Sequence, residues 1–155
     1  MVQNNKLVLL LVAMTLGWAG NAVADEDEQA ELTFRLAESA VAEGLIESSL
    51  PETGEKIYLH TKPLITAKDV AAVTFSRDSN SRHVISLEFK PLAAKRLAEA
   101  TKQHFGKKIV CQLDGKIVMA PTVRGVISNR AMINSEFTDD EMRRIFDALV
   151  LQKHE

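Results

Sequence analysis

The chain has 155 residues, with 19 basic against 21 acidic side chains and a formal charge of −2. That balance, with no basic run, argues against nucleic acid or an anionic membrane surface as partner. Aromatic residues make up 5% of the chain and there is one cysteine, so stacking platforms for bases or sugars are few and an internal disulfide is excluded.

Residues 1–24 read as a cleavable secretory signal. A short polar start carries Lys6, an apolar run follows from Leu7 to Gly20, and the segment closes on Asn21-Ala22-Val23-Ala24. The run is about 14 residues, short of the roughly 20 that span a bilayer. Ala22 and Ala24 supply the small-x-small pattern of a cleavage site, which places the cut after Ala24. The lone Cys111 lies far downstream, where it cannot serve a lipoprotein cut. The expected product is a periplasmic domain of about 130 residues, long enough to bury its own core.

Asp25 to Glu31 is expected to be a mobile acidic leader, with a single domain over residues 32–152. Leu32, Phe34 and Leu36 alternate with Thr33 and Arg35, the period of a half-buried strand. Residues 38–50 are ambiguous, a helical period broken by Gly44, and Pro51-Glu52-Thr53-Gly54 reads as a turn. Ile57 to His60 forms a short strand closed by Pro63. Thr66 to Asp69 has the form of a capped helical turn.

Ala72 to Arg77 and His83 to Lys90 read as a hairpin around the polar loop 78–82. Pro91 then opens a helix at its first position, where a missing N–H costs nothing. Leu92, Ala93, Leu97, Ala100 and Phe105 are its expected apolar face, Lys95, Arg96, Glu99 and Lys102 its solvated one, and Gly106 its left-handed cap. Asp114-Gly115 between Ile109–Leu113 and Lys116–Met119 predicts a two-residue hairpin, because both central residues of that turn take positive φ.

Pro121 is expected to end the second strand's pairing, and Ala131 to Phe137 supplies another alternating run. Thr138-Asp139-Asp140-Glu141 is a capping box, with Phe137 and Met142 as its hydrophobic staple. The helix it opens runs to about Leu151, with Ile145, Phe146, Leu149 and Val150 as its apolar stripe. The order of elements predicts an α+β fold, an antiparallel sheet with two long helices packed on one face.

No catalytic, cofactor or metal site is expected. His60, His83, His104 and His154 are scattered, without the i, i+4 or Cys/His spacings of metal sites. Phosphate loops and nucleophile elbows are absent from the sequence, Cys111 reads as a packed thiol, and the turn accounts for Asp114. The more informative stretch runs from Met119 to Met132. Met119, Pro121, Val123, Val126, Ile127 and Met132 are apolar, while Pro121, Gly125, Ser128 and Asn129 prevent one regular element. Such a loop either folds onto the core or offers a surface to an extended chain.

Together, Leu113-Asp114-Gly115-Lys116, the following Ala120-Pro121, and Phe137 to Glu141 opening a last helix resemble the head subdomain of the first periplasmic region of SecD and SecDF. Leu64 to Val70, the strand His83 to Lys90 and Ala98-Glu99-Ala100-Thr101 extend the resemblance over roughly Ile57 to Leu149. It implies a fold related to ferredoxin-like sheets and a head that contacts preprotein emerging from the translocon. The chain departs from the family in having none of its membrane helices, so the expectation is a free-standing head that does not itself couple proton flow to movement. The family's glycine-containing segment reads Ile127-Ser128-Asn129-Arg130-Ala131-Met132 here, which alters any close backbone approach.

The expected function is non-enzymatic binding of an exported polypeptide or an envelope protein, through the apolar loop or an open sheet edge. The alternatives are a small periplasmic hydrolase or transferase whose groups converge only in the fold, and a structural subunit of an envelope complex.

Overall fold

The structure, a computed structural model, describes residues 30–150. The expected signal segment, residues 1–24, and most of the expected acidic leader lie outside the described residues. In chain order the elements are β1 (Leu32–Glu38), β2 (Leu45–Ser49), β3 (Lys56–His60), β4 (Ile65–Thr66), a 3₁₀ turn (Ala67–Asp69), β5 (Val70–Arg77), β6 (His83–Phe89), α1 (Pro91–Gln103), β7 (Lys108–Leu113), β8 (Lys116–Met119), β9 (Arg130–Asn134) and α2 (Asp139–Val150).

This is an α+β architecture with antiparallel pairing throughout, but the strands divide between two sheets where the sequence pattern draws one. The larger runs β2-β3-β1-β7-β8, with β4 also paired to β1, and the smaller runs β5-β6-β9. The division falls at the 3₁₀ turn. Thr66 N–H donates to the Asp69 carboxylate at 2.9 Å, closing the expected cap. That tight turn takes the chain off β4 and away from β1.

Strand β7 shows why a core forms on both faces of the larger sheet. Ile109, Cys111 and Leu113 join Leu32, Phe34 and Leu36 of β1 in the main core, which also contains Ile85, Leu87 and Phe89 of β6. Val110 points the other way, into a smaller cluster with Ala37, Leu50, Ile57, Leu59 and Ile117. A strand covered on both faces reads as a continuous apolar run.

The ambiguous stretch 38–50 resolves as an edge strand, β2, entered through Gly44 at φ +79°. Its pattern hides the strand because neither face is buried: Ile46 and Glu47 are exposed and Leu45 and Ser48 are half-buried. Hydrophobic alternation arises only where one face meets a core.

Helix α1 starts at Pro91 as expected, yet the face it buries is Ala93, Leu97 and Thr101. Leu92 is 81% exposed, and Phe105, beyond the helix, is 69% exposed. Positions four apart stack on one face, and Leu92 sits about a quarter turn from that row. In α2 the capping box is formed: Thr138 N–H donates to Glu141 Oε2 at 3.0 Å and Glu141 N–H to Thr138 Oγ1 at 3.2 Å. Ile145, Ala148 and Leu149 are buried, while the partly exposed Phe146 packs on Phe75 of β5 with ring centroids 5.6 Å apart.

Asp114 and Gly115 take φ values of +50° and +75°, as the predicted hairpin requires. Asp114 also does more than turn the chain. Its carboxylate accepts from Glu31 N–H at 2.8 Å and pairs with Arg144 of α2. Its own N–H donates to Glu31 O at 2.8 Å. Ala30 is buried, so the last two residues of the expected leader are tied to the fold.

Pro121 does not end pairing. Ile109 N–H donates to Pro121 O at 3.0 Å and Val123 N–H to Lys107 O at 2.8 Å. The ring removes a donor that this register does not need, while the carbonyl still accepts.

Candidate functional site

The apolar segment that follows is partly core and partly surface. Val123 is 2% exposed and belongs to the main core. Ile127 is half-buried, and its N–H donates to Thr101 Oγ1 at 3.0 Å. Thr101, wholly buried on α1, in turn donates to Leu97 O at 2.8 Å. This one hydroxyl fastens the loop to the helix. Thr101→Val keeps the shape but removes the acceptor, so a loss of about 1–3 kcal/mol is expected in urea denaturation, with faster amide exchange at Ile127.

On either side of that anchor the segment is open. Val126 is 61% exposed and Met132 69% exposed, and Pro121 is exposed as well. Beneath Pro121 and Met132, but not Val126, lies an apolar cavity of about 80 Å³. Met119, Pro121 and Ile127 line it from the segment, and Phe34, Phe89 and Leu97 from the core. Apolar space of this kind takes apolar groups in preference to water.

Met132 sits on β9, an edge of the smaller sheet, in register with Ser86 and, one strand further, Thr74. Arg130 beside it is paired with Glu88 at 3.5 Å. Of the six residues singled out from sequence, Met119, Pro121, Ile127 and Met132 therefore meet around one cavity. Val126 stands free on the surface and Val123 is buried in the core.

A second convergence was not legible in the sequence. Glu38 ends β1, His60 ends β3 and His104 follows the last residue of α1, and the fold brings all three side chains together. His60 Nε2 lies 3.1 Å and His104 Nε2 3.9 Å from Glu38 Oε1, and Lys107 Nζ lies 2.8 Å from Oε2. The bond from Lys107 holds the Glu38 carboxyl below the usual carboxylate range. Burial, by contrast, pushes the Cys111 thiol up to about 12, which removes it as a nucleophile at neutral pH.

Two antiparallel sheets, two helices and an apolar loop fastened over a cavity define a sheet-dominated α+β module. The chain belongs to the family of the SecDF P1 head subdomain, whose model matches residues 43–153. It is 34% identical over 90 residues to the protein translocase subunit SecD of Aquifex aeolicus, covering 58% of this chain and 18% of that protein. To the subunit SecDF of Thermus thermophilus it is 36% identical over 91 residues, covering 58% and 12%. It thus spans less than a fifth of either relative.

Among solved structures, it resembles one described as a membrane component SecDF that enhances protein export. The TM-score is 0.58 at 26% identity, over 86% of this chain and 70% of that one. SecDF in its super-membrane-facing form gives 0.57 at 28% identity, over 80% and 19%. The family is associated with translocation and is not a family of enzymes, so the hydrolase or transferase alternative is set aside. No helix among the described residues is long and apolar enough to cross a membrane.

Proposed function

We propose that this head subdomain is a periplasmic, non-catalytic module of protein export that binds extended polypeptide on the surface formed by Pro121, Val126, Ile127 and Met132. The observation that carries this reading is the meeting of exposed apolar side chains, an apolar cavity and the open edge of β9 in one place. An unpaired strand edge gives an extended chain main-chain hydrogen bonds with little sequence demand. Methionine, with its adaptable thioether, suits partners of varied shape.

Export through residues 1–24 with a cut after Ala24, and a single domain over 32–152, belong to the same proposal, as does a ferredoxin-like relation in which α1 and α2 cover one sheet face. What supports that packing is that both helices bury their stripes in the main core with β1 and β7. The relatives' description as translocase subunits supports the link to export.

The test is calorimetric titration of the purified protein with an unfolded exported protein. Binding is expected, and Val126→Asp and Met132→Asp should each weaken it about tenfold, the equivalent of 1.4 kcal/mol. Absence of heat, or an affinity unchanged from the parent in both variants, would overturn the reading.

A further inference from the structure

The cluster at Glu38 lies apart from the apolar cavity and is built like an incomplete metal shell. His104 Nδ1 is 2.9 Å from Ala100 O. A carbonyl only accepts, so Nδ1 carries the hydrogen, and in the neutral ring the lone pair sits on Nε2, the atom facing Glu38. A backbone carbonyl orienting one ring nitrogen while the other is offered to a metal is the usual outer support of a ligating histidine. His60 is fixed from behind, because Arg35 donates to its backbone carbonyl at 3.1 Å.

The three ligand atoms lie within 4.8 Å of one another. A tetrahedral ion with bonds of about 2.0–2.1 Å needs its ligands roughly 3.3–3.4 Å apart. The side chains therefore need to close by no more than about 1.5 Å, within reach of χ adjustments in half-buried groups. The position also suits a cation electrostatically, because His104 caps the C-terminus of α1, the negative end of its dipole.

We propose that Glu38, His60 and His104 bind one divalent transition-metal ion of the zinc class, with Lys107 as a competing internal cation that occupies the carboxylate when the ion is absent. Two imidazoles and one carboxylate select such ions over magnesium or calcium, which prefer all-oxygen shells. Solvent reaches the cluster, since none of its members is fully buried, so water completes the coordination. Lys107, 46% exposed, can swing into solvent as the ion enters. The bound ion would staple the ends of β1 and β3 to the end of α1.

The experiment is titration of ZnCl₂ into the untagged, chelator-stripped protein, with thermal melts in ZnCl₂ or MgCl₂. One zinc per chain is expected, with a raised Tm in zinc and no response to magnesium. His60→Gln and His104→Gln should each lower affinity at least about tenfold, and Lys107→Met, which frees the carboxylate, should raise it about tenfold. Metal-free melts that match the parent establish that the variants fold. No saturable binding by either the parent or Lys107→Met, or zinc affinity unchanged in both histidine variants, overturns the site.

Discussion

Val123→Asp is expected to lower stability by at least about 3 kcal/mol, and Val126→Asp by less than about 0.5 kcal/mol. The two valines lie three residues apart in one loop and would be treated alike by any hydrophobicity scale. Val123 packs in the main core, and its N–H and carbonyl pair with Lys107 O and Gly106 N–H at 2.8 and 2.9 Å. A carboxylate there would be buried against apolar side chains, so the chain must either protonate it or open the loop. Val126 faces solvent. Urea denaturation of the two variants, monitored by circular dichroism, checks the expectation. Equal stabilities would mean that the loop does not seal the core. The contrast also decides which substitutions can test binding, because a defect at Val123 would report unfolding and one at Val126 would not.

Elements with one clear face were readable from the sequence for a physical reason. In β6, Ile85, Leu87 and Phe89 meet the main core while Ser86 and Glu88 do not, so burial imposes period two on the residues. The Asp114-Gly115 turn and the Thr138 capping box were readable because local backbone chemistry alone demands those residue types. Edge strand β2 lacks such a demand and stayed hidden. For α1, counting apolar residues misplaced the buried face: Leu92 and Phe105 are exposed, while the polar Thr101 is buried with its hydroxyl bonded within the helix and to the loop. Its burial follows from its spacing with Ala93 and Leu97, a signal that hydrophobicity conceals.

The site residues divide in the same way. An apolar, irregular segment at 119–132 is visible as composition, but which members seal the core depends on hydrogen bonds to Lys107, Gly106 and Thr101. Nothing local marks Glu38 and His60, 22 residues apart in sequence, as partners. Their meeting follows from β1 pairing with β3, which places Ala37 opposite Leu59. His104 joins them only because α1 ends beside that pair. Each of the three ends, or directly follows, a regular element, so strand order would have been the signal needed.

Asp114→Ala is expected to cost about 2 kcal/mol at neutral pH, because two losses coincide there. Alanine forfeits the bonds to Glu31 N–H and Arg144, and it must hold φ +50° without the side chain that makes this tolerable in aspartate. Asp114→Asn separates the two, since asparagine accepts the left-handed conformation and can still receive the Glu31 N–H. Its cost should be about 1 kcal/mol, reduced by solvent screening of the partly exposed pair with Arg144.

The asparagine cost should also depend on pH. The bond from Arg144, aided by Glu31 N–H, holds the Asp114 carboxyl below its ordinary value of 3.8. A carboxyl depressed in the fold contributes stability that is complete well above the unfolded value and is lost as pH falls through the folded one. The gap between parent and Asp114→Asn, measured by urea denaturation, should therefore be constant from pH 7 to about 5 and close progressively below about pH 4. The alanine gap should narrow over the same range but not vanish, because backbone strain does not titrate. A gap unchanged down to pH 2.5 would show that the carboxylate charge adds nothing, and would reduce the link between the Asp114 turn and α2 to packing alone.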